Sequence, residues 1–296
     1  MRPNKDKPVV VRAIHPNAGI QHWYRAELDA AIAAMHKDVL AGVLAAYSAG
    51  EPVELAKDAA PKNPSLFIRR ALERYGRKWT LKLDKLSLDL SRKFATKSFN
   101  TTQIQMKAAF AEAGFTVAFK PTPGSVAAYQ AVAAEQVNLI KSIPAQYLKD
   151  VQSKVWSSVM KGADMHALSD DLHKTYGVTR DRAAFIARDQ TAKSKAIIEK
   201  TRRQEIGITE AVWMHSSGGK VPRKTHIRMD GKPYPISQGM WDSDEGKYVL
   251  PGELINCRCT SKAILPFVDR AEVIERATRS RPTALYNAAK ARARAR

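Results

Sequence analysis

From Leu250 to Cys259 the sequence reads LPGELINCRC, and this stretch holds the only two cysteines of the 296-residue chain, Cys257 and Cys259. Two cysteines separated by one residue are too close for an ordinary disulfide framework, so the sequence favours a reducing compartment over a secreted, disulfide-stapled fold. Side chains two residues apart share one face of a strand. The alternation predicts a last strand or strand pair from Ile255 to Leu265, with both thiols on one face.

Two thiols on one face, together with a histidine, are typical ligands of a tetrahedral zinc ion. The candidate zinc ligands are Cys257, Cys259 and His226, with His215 or Asp230 as the fourth. A small loop-rich module gains folding free energy from such an ion. Structural zinc sites more often have two residues between their cysteines, however, and free cysteine is among the most buried residue types. The alternative, that both cysteines are simply buried structural residues, therefore stays open.

The region before this stretch is rich in residues that form turns. The segment from Thr209 to His215 contains alternating and aromatic residues suited to a strand. After it, glycine and proline interrupt the chain so often that a compact, loop-rich module is predicted. The interrupting residues are Gly218, Gly219, Pro222, Gly231, Pro233, Pro235, Gly239, Gly246, Pro251 and Gly252.

Before Gly207 the sequence is typical of helices, because apolar residues return every three or four positions. The last of these helices is predicted to turn its cations, including Lys195, Arg202 and Arg203, towards solvent. The prolines between Gly50 and Pro64 indicate a linker. The predicted helices are Ala18–Ser48, Ser65–Ser98, a run from Val126 to Ile140, a further helix opened by Pro144, Met165–Tyr176 capped by Asp164, and Arg180–Glu205 with Thr179 as its N-cap.

The C-terminal module carries a set of motif residues. They are Trp213, Arg223, His226, Asp230, Gly231, Pro251, Gly252, Asn256, Cys257, Arg258 and Cys259. The set resembles the phage head-morphogenesis family, the Mu F-like minor capsid proteins, over about Val178 to Phe267. Family members often have an acidic residue a few positions before the arginine that corresponds to Arg223, where this chain has Ser216 to Lys220, so a role for that carboxylate is not expected here.

The resemblance implies a minor head protein that is added during prohead assembly, near the portal, and is present in few copies. The implied partners are the portal protein and the major capsid or scaffold protein. The implied location is the interior of the phage head, with the host cytoplasm during assembly. No membrane partner is expected, because no uninterrupted apolar run approaches the roughly 18 to 20 residues that span a bilayer.

We predict an α+β fold, with a mainly α-helical N-terminal region followed by a small loop-rich α+β C-terminal module. Four domains are expected along the chain. They are residues 1–60 with an N-terminal helix and linker, residues 61–177 with a helical region, residues 178–268 with the Mu F-like module, and residues 269–296 with a basic, solvated or partner-bound tail.

The charge of the chain indicates a polyanionic partner. The sequence has 49 Lys and Arg against 29 Asp and Glu, a formal net charge of +20. Such a charge favours contact with double-stranded DNA without sequence specificity, helped by nearby aromatic residues such as Trp79. The alternative is that these cations are solvated or meet acidic surfaces of portal or scaffold proteins. The candidate DNA-binding residues are Arg69, Arg70, Arg74, Arg77, Lys78, Lys290, Arg292, Arg294 and Arg296.

No catalytic residue is predicted, because the sequence lacks the HExxH, GxSxG, phosphate-loop and zinc-deaminase patterns. The alternative function is a metal-dependent nuclease that uses His226 and Asp230 beside a metal bound by Cys257 and Cys259. Against it, His226 and Asp230 can equally serve as hydrogen-bonding partners of loop backbone, with Asp230-Gly231 forming a turn. The sequence thus predicts a structural and assembly protein rather than an enzyme.

Overall fold

The computed structural model describes residues 10–50, 64–161, 165–217, 221–266 and 268–279. Long helices precede a small module of short antiparallel strands, which confirms the predicted mainly helical α+β fold. The elements are α1 (Ala18–Gly50), α2 (Pro64–Glu112), α3 (Pro123–Lys161), α4 (Met165–Glu205), β1 (Glu210–Met214), α5 (Lys224–Met229), β2 (Pro233–Pro235), β3 (Met240–Asp242), β4 (Lys247–Val249), β5 (Thr260–Ile264) and α6 (Arg270–Arg279).

The chain folds into two compact units. Within the described residues, the helical unit consists of residues 21–50, 64–93, 133–161 and 165–187, and the sheet unit consists of residues 10–20, 94–132, 188–217, 221–266 and 268–279. The helices α2, α3 and α4 each contribute one part to the helical unit and another to the sheet unit. The domain boundaries predicted from the sequence stay predictions.

In the helical unit, a stripe of apolar residues spaced four apart on α1 lies in the core. Met35, Val39 and Val43 are fully buried and lie in one cluster with side chains of α2, α3 and α4. This is the face that the apolar periodicity of α1 predicts. By length and composition alone, the same helix is apolar enough over Ala18–Ser48 to cross a bilayer. The absence of a membrane partner therefore stays a prediction.

Two predicted helix boundaries are wrong, because α3 and α4 are continuous. Pro144 lies inside α3, where the missing N–H and the ring are expected to cost roughly 3 kcal/mol. The neighbouring Ile143 and Tyr147 are 2% and 1% exposed, and their burial outweighs this local cost. Thr179 is not an N-cap, since its hydroxyl donates to the Thr175 carbonyl at 2.8 Å within α4. The predicted cap Asp164 lies outside the described residues.

The sheet unit is built around β1, which pairs antiparallel with β2 on one side and β5 on the other. Trp213 of β1 is fully buried in the main core cluster. Its neighbour Val212 points into a second cluster, with Val273 and Ala277 of α6. The first part of the predicted tail is thus a packed helix rather than a solvated segment, while residues 280–296 lie outside the described residues.

A buried ionic cluster joins α4 to β5. Glu199 contacts Lys195 at 2.6 Å and also pairs with Arg203, and all three side chains are 4–5% exposed. Arg203 donates to the Ser261 hydroxyl at 2.6 Å and to the Ser261 carbonyl at 3.0 Å. The prediction that Lys195, Arg202 and Arg203 face solvent is therefore wrong. Buried charges require partners, and the carboxylate and the strand backbone provide them here.

The helical unit also contains a buried histidine, His36, that contacts three aromatic side chains. His36 Nδ1 lies 2.9 Å from the Tyr147 hydroxyl, and its Nε2 lies 3.2 Å from His173 Nδ1. Its ring stacks on Tyr176 with 4.5 Å between centroids. Burial, assisted by the charge of His173, lowers the pKa of His36 from 6.5 to about 4. The fold therefore favours the neutral imidazole.

We expect acidification to weaken the helical unit through His36. Unfolded His36 takes up a proton near its ordinary pKa of 6.5, whereas folded His36 does so only near a pKa of about 4. The free energy of unfolding should therefore be unaffected by His36 above pH 6.5 and should decrease progressively as the pH falls towards 4. The check is the free energy of unfolding by urea across this range, in wild type and in His36→Gln.

In His36→Gln, stability should depend less on pH over this window. The matched control is His22→Gln, which removes an exposed histidine from the same helix and should keep the wild-type dependence. Equal pH dependence in wild type and His36→Gln would show that another group is responsible.

Candidate metal centre

The structure brings together three of the five predicted metal ligands. Cys257 Sγ and Cys259 Sγ lie 3.5 Å and 3.6 Å from the same ring nitrogen, His226 Nδ1. One ligand atom from each of the three residues lies within 4.8 Å of the other two, and the side chains are buried. This spacing leaves His226, Cys257 and Cys259 arranged as ligands around a common point, and they could hold a metal ion such as zinc.

His226 is positioned by the short helix α5 and by the central strand. The imidazole lies edge-on against the indole of Trp213, with 5.1 Å between ring centroids and 72° between planes. The turn after α5 is fixed to the same strand, because Gly231 N donates to the Trp213 carbonyl at 2.9 Å. Gly231 has a φ of 77°, a conformation in which glycine is not strained. These contacts explain why Trp213 and Gly231 occur in the same motif as His226.

The two cysteines converge through a turn and not through a strand. The predicted strand from Ile255 is wrong at its start, since β5 begins at Thr260. Cys257 N donates to the Leu254 carbonyl at 2.9 Å, and Asn256 has a φ of 58° in the left-handed region. Ile255 is 56% exposed and does not share the buried face of the thiols. The thiols do meet on one side, because both sulfur atoms lie beside the same nitrogen, His226 Nδ1.

The cysteine turn is fixed to α4 at two points. Asn256 N donates to Asp189 Oδ1 at 2.8 Å, and Arg188 donates to Asn256 Oδ1 at 3.1 Å. Gly252, with a φ of 89°, lies so close to α4 that a Cβ there would be 3.3 Å from Ala196 Cβ. Across the turn, Arg223 donates to the Ile255 carbonyl at 3.1 Å. These motif residues therefore act as supports for the turn.

The surroundings of the sulfur atoms favour a thiolate. Gly252 N donates to Cys257 Sγ at 3.3 Å. The hydrogen bond with Cys259 lowers the pKa of Cys257, and His226 lowers it further, although burial acts in the opposite direction. The same hydrogen bond, with burial, raises the pKa of Cys259. One sulfur of the pair thus carries negative charge more readily, and a metal ion would stabilise that charge.

A carboxylate that the sequence did not reveal lies on the other side of the imidazole. Asp242 Oδ2 is 3.2 Å from His226 Nε2, and the Asp242 side chain has no exposed surface. The same oxygen accepts a hydrogen bond from Thr225 Oγ1 at 3.1 Å, and Oδ1 accepts one from Asp244 N at 3.0 Å. The contact with His226 Nε2 is close but not aligned as a full hydrogen bond. Its only signal in the sequence is an acidic turn, which usually faces solvent.

The other two predicted ligands lie outside the group formed by the histidine and the cysteines. Asp230 Oδ1 accepts a hydrogen bond from His215 N at 2.7 Å, and His215 Nδ1 accepts one from Ser217 N at 3.2 Å. Asp230 therefore holds loop backbone. The acidic side chain beside His226 is Asp242, so the predicted pairing of His226 with Asp230 is replaced by a pairing with Asp242.

The remaining predicted residues lie in both buried and exposed positions. Of the motif residues, Pro251 is buried and Arg258 is exposed. Trp79, expected near DNA, is 2% exposed and donates from its indole N–H to Asp38 at 2.8 Å, so it belongs to the core. The candidate DNA contacts within the described residues are all exposed, and they are Arg69, Arg70, Arg74, Arg77 and Lys78. Lys290, Arg292, Arg294 and Arg296 lie outside the described residues.

The chain is similar to known proteins over part of its length. A protein of Haemophilus influenzae (strain ATCC 51907 / DSM 11121 / KW20 / Rd), described as an uncharacterized protein, is 35% identical over 156 residues, which are 52% of this chain and 32% of the relative. The chain thus spans about a third of that relative's length. No solved structure matches the chain.

The sequence pattern of the family described as Phage Mu protein F like protein matches residues 149–262. This range includes α5, both cysteines and Asp242, which together form the metal centre described above. The chain therefore contains a Phage Mu protein F-like domain at residues 149–262, the domain of a phage head morphogenesis family.

Proposed function

We propose that this protein is a minor head protein that enters the prohead near the portal and remains inside the virion. The observation that carries the proposal is the Mu F-like domain, whose family implies a role in phage head morphogenesis and a place in the virion head. The supports around the metal centre agree with it, because they make a rigid module that could bind a partner without refolding. The proposed partners are the portal protein and the major capsid or scaffold protein.

Purified particles of the phage that encodes the chain provide the test. We expect quantitative mass spectrometry to detect the protein in both proheads and mature virions, at far lower copy number than the major capsid protein. A non-structural protein of the same phage serves as the control for contamination. Presence in the lysate but not in either particle would contradict a role as a head component.

We also propose that the protein contacts packaged DNA without reading its sequence. The support is the net charge of +20 and the exposed cations at the start of α2. Some of these cations are partly neutralised within the chain, since Arg69 lies 3.5 Å from Glu73 and Lys78 lies 2.6 Å from Asp38. Arg70 and Arg77 make neither of these ion pairs and are the better candidates for phosphate contact.

Removing two cations tests DNA contact. In Arg70→Gln/Arg77→Gln we expect weaker binding to two unrelated duplexes by the same factor, because cations that bind phosphates do not read sequence. The plot of log affinity against log salt should become shallower by about 0.9 for each phosphate that the variant no longer neutralises. Fluorescence anisotropy with the full-length chain measures both quantities.

The control variant, Lys107→Gln/Lys149→Gln, removes the same charge from exposed positions outside the predicted set. It should change the salt dependence less. An equal effect of both variants would mean that binding follows net charge alone, and a preference for one duplex would contradict sequence-independent contact.

We further propose that the metal centre binds one zinc ion and that this ion stabilises the sheet unit. The donor set of two sulfurs and one imidazole nitrogen is the chemistry that zinc prefers. When bound, zinc would neutralise the thiolates and tie the cysteine turn to α5. Because the three side chains are 2–5% exposed, a phosphodiester could reach them only if the module opened. This burial is the reason to prefer a structural ion over the nuclease alternative.

Zinc content gives the corresponding prediction. We expect one zinc per wild-type chain by native mass spectrometry with elemental analysis, and none in Cys257→Ser/Cys259→Ser. Chelation should lower the melting temperature of wild type but not of Cys257→Ser/Cys259→Ser, because binding to the folded state adds to its stability. His215→Ala is the control, since His215 lies outside the group and should retain the ion.

The result against zinc would be wild-type protein that contains no zinc although it was folded with zinc present, and whose melting temperature is the same with and without chelator. The cysteines would then be buried structural residues. Nicking of plasmid DNA by wild type but not by His226→Ala, with divalent metal present, would instead favour the nuclease.

A further inference from the structure

We infer that Asp242 is a positioning residue of the metal centre: it fixes the tautomer of His226 and thereby makes the β3–β4 hairpin part of the metal-dependent structure. The inference rests on the proposed zinc site. It starts from the two sides of one imidazole ring. Both sulfur atoms lie at Nδ1, at 3.5 Å and 3.6 Å, whereas the Asp242 carboxylate lies at Nε2, at 3.2 Å.

A neutral imidazole carries its proton on one ring nitrogen and can ligate a metal only through the other. The carboxylate of Asp242 can only accept hydrogen bonds, so it favours the tautomer with the proton on Nε2 of His226. The lone pair of Nδ1 then points to the sulfur atoms. In this structure Asp242 Oδ2 is near Nε2 but not in line with it. Carboxylates play this role beside many zinc-bound histidines and raise the basicity of the ligand.

The carboxylate is itself held in place from both sides. Oδ2 of Asp242 accepts from Thr225 Oγ1 at 3.1 Å, and Oδ1 accepts from Asp244 N at 3.0 Å. Thr225 precedes His226 on α5, so the same helix supplies the metal ligand and a support for its partner. Asp242 is the last residue of β3 and is fully buried, so it cannot turn to solvent without moving the strand.

The hairpin thereby gains a link to the metal. Its two strands are only three residues each, and such short pairs are marginal without further contacts. The cross-strand pair Trp241 and Tyr248 gives little help, because these side chains are 55% and 48% exposed, with their ring centroids 5.3 Å apart. Val249 of β4 is buried in the main core cluster and gives the hairpin an apolar anchor, while Asp242 adds a polar contact with the metal centre. Loss of the ion should therefore loosen the hairpin and change the environment of Trp241.

The matched variants are Asp242→Asn and Asp244→Asn, which remove the same charge two residues apart from a buried and an exposed position. Zinc affinity is measured by competition with a chromophoric chelator in the full chain. We expect Asp242→Asn to weaken zinc binding by about 10- to 100-fold, the usual effect of removing such a partner. Asp244→Asn should stay close to wild type.

A second measurement uses the wild type and therefore does not depend on whether a variant folds. Long-range ¹H–¹⁵N correlation of the zinc-loaded wild type reports which ring nitrogen of His226 is protonated. We expect the proton on Nε2 and the metal on Nδ1.

Chelation should also shift the fluorescence of Trp241, and Trp241→Phe identifies the part of the signal that arises from this side chain.

The outcomes separate this inference from the zinc proposal. A wild-type chain that binds no zinc overturns the zinc site and the role of Asp242 with it. If wild type binds zinc but Asp242→Asn binds it equally well, or if the metal sits on Nε2, zinc stands and only the role of Asp242 is overturned.

Discussion

The face of α4 from Arg188 to Arg203 is the constraint on which the sheet unit depends. Glu199 neutralises two buried cations there, and one of these, Arg203, holds both the hydroxyl and the backbone of Ser261 on β5. Nearer the N-terminus of α4, the same face packs against Gly252, and Asp189 accepts a hydrogen bond from Asn256 N. Strand β5 and the cysteine turn are thus both hydrogen-bonded to the same helix, α4.

The helices were predictable because their signal is local. The apolar period of α1 places Met35, Val39 and Val43 on the face that the structure buries, and the prediction of its first residue, Ala18, agrees with the structure. The boundaries at Pro144 and Thr179 were not predictable, since local signals for a break compete there with burial by other parts of the chain. The burial of Arg203 escaped prediction for the same reason, because its partner Ser261 is 58 residues away.

The metal centre was predictable in its donor types and not in its geometry. Cysteine pairs and histidine stand out in any sequence, so Cys257, Cys259 and His226 could be named from chemistry alone. Their convergence was expected within one strand, yet Cys257 follows the left-handed Asn256 in a turn and the strand begins only at Thr260. Asp242 could not be found from the sequence, because only the fold of the hairpin decides that this carboxylate, and not Asp230, faces the imidazole.

The two faces of β1 have a consequence for how the family domain can change over evolutionary time. Ala211 and Trp213 pack in the cluster that contains both cysteines, whereas Val212 packs with α6. Neighbouring residues of one strand therefore experience separate selective pressures. Substitutions at Val212 can be compensated on α6 without involving the metal ligands, while those at Trp213 cannot. Related chains should accordingly be free to exchange the helix behind the sheet while the side facing His226 stays the same.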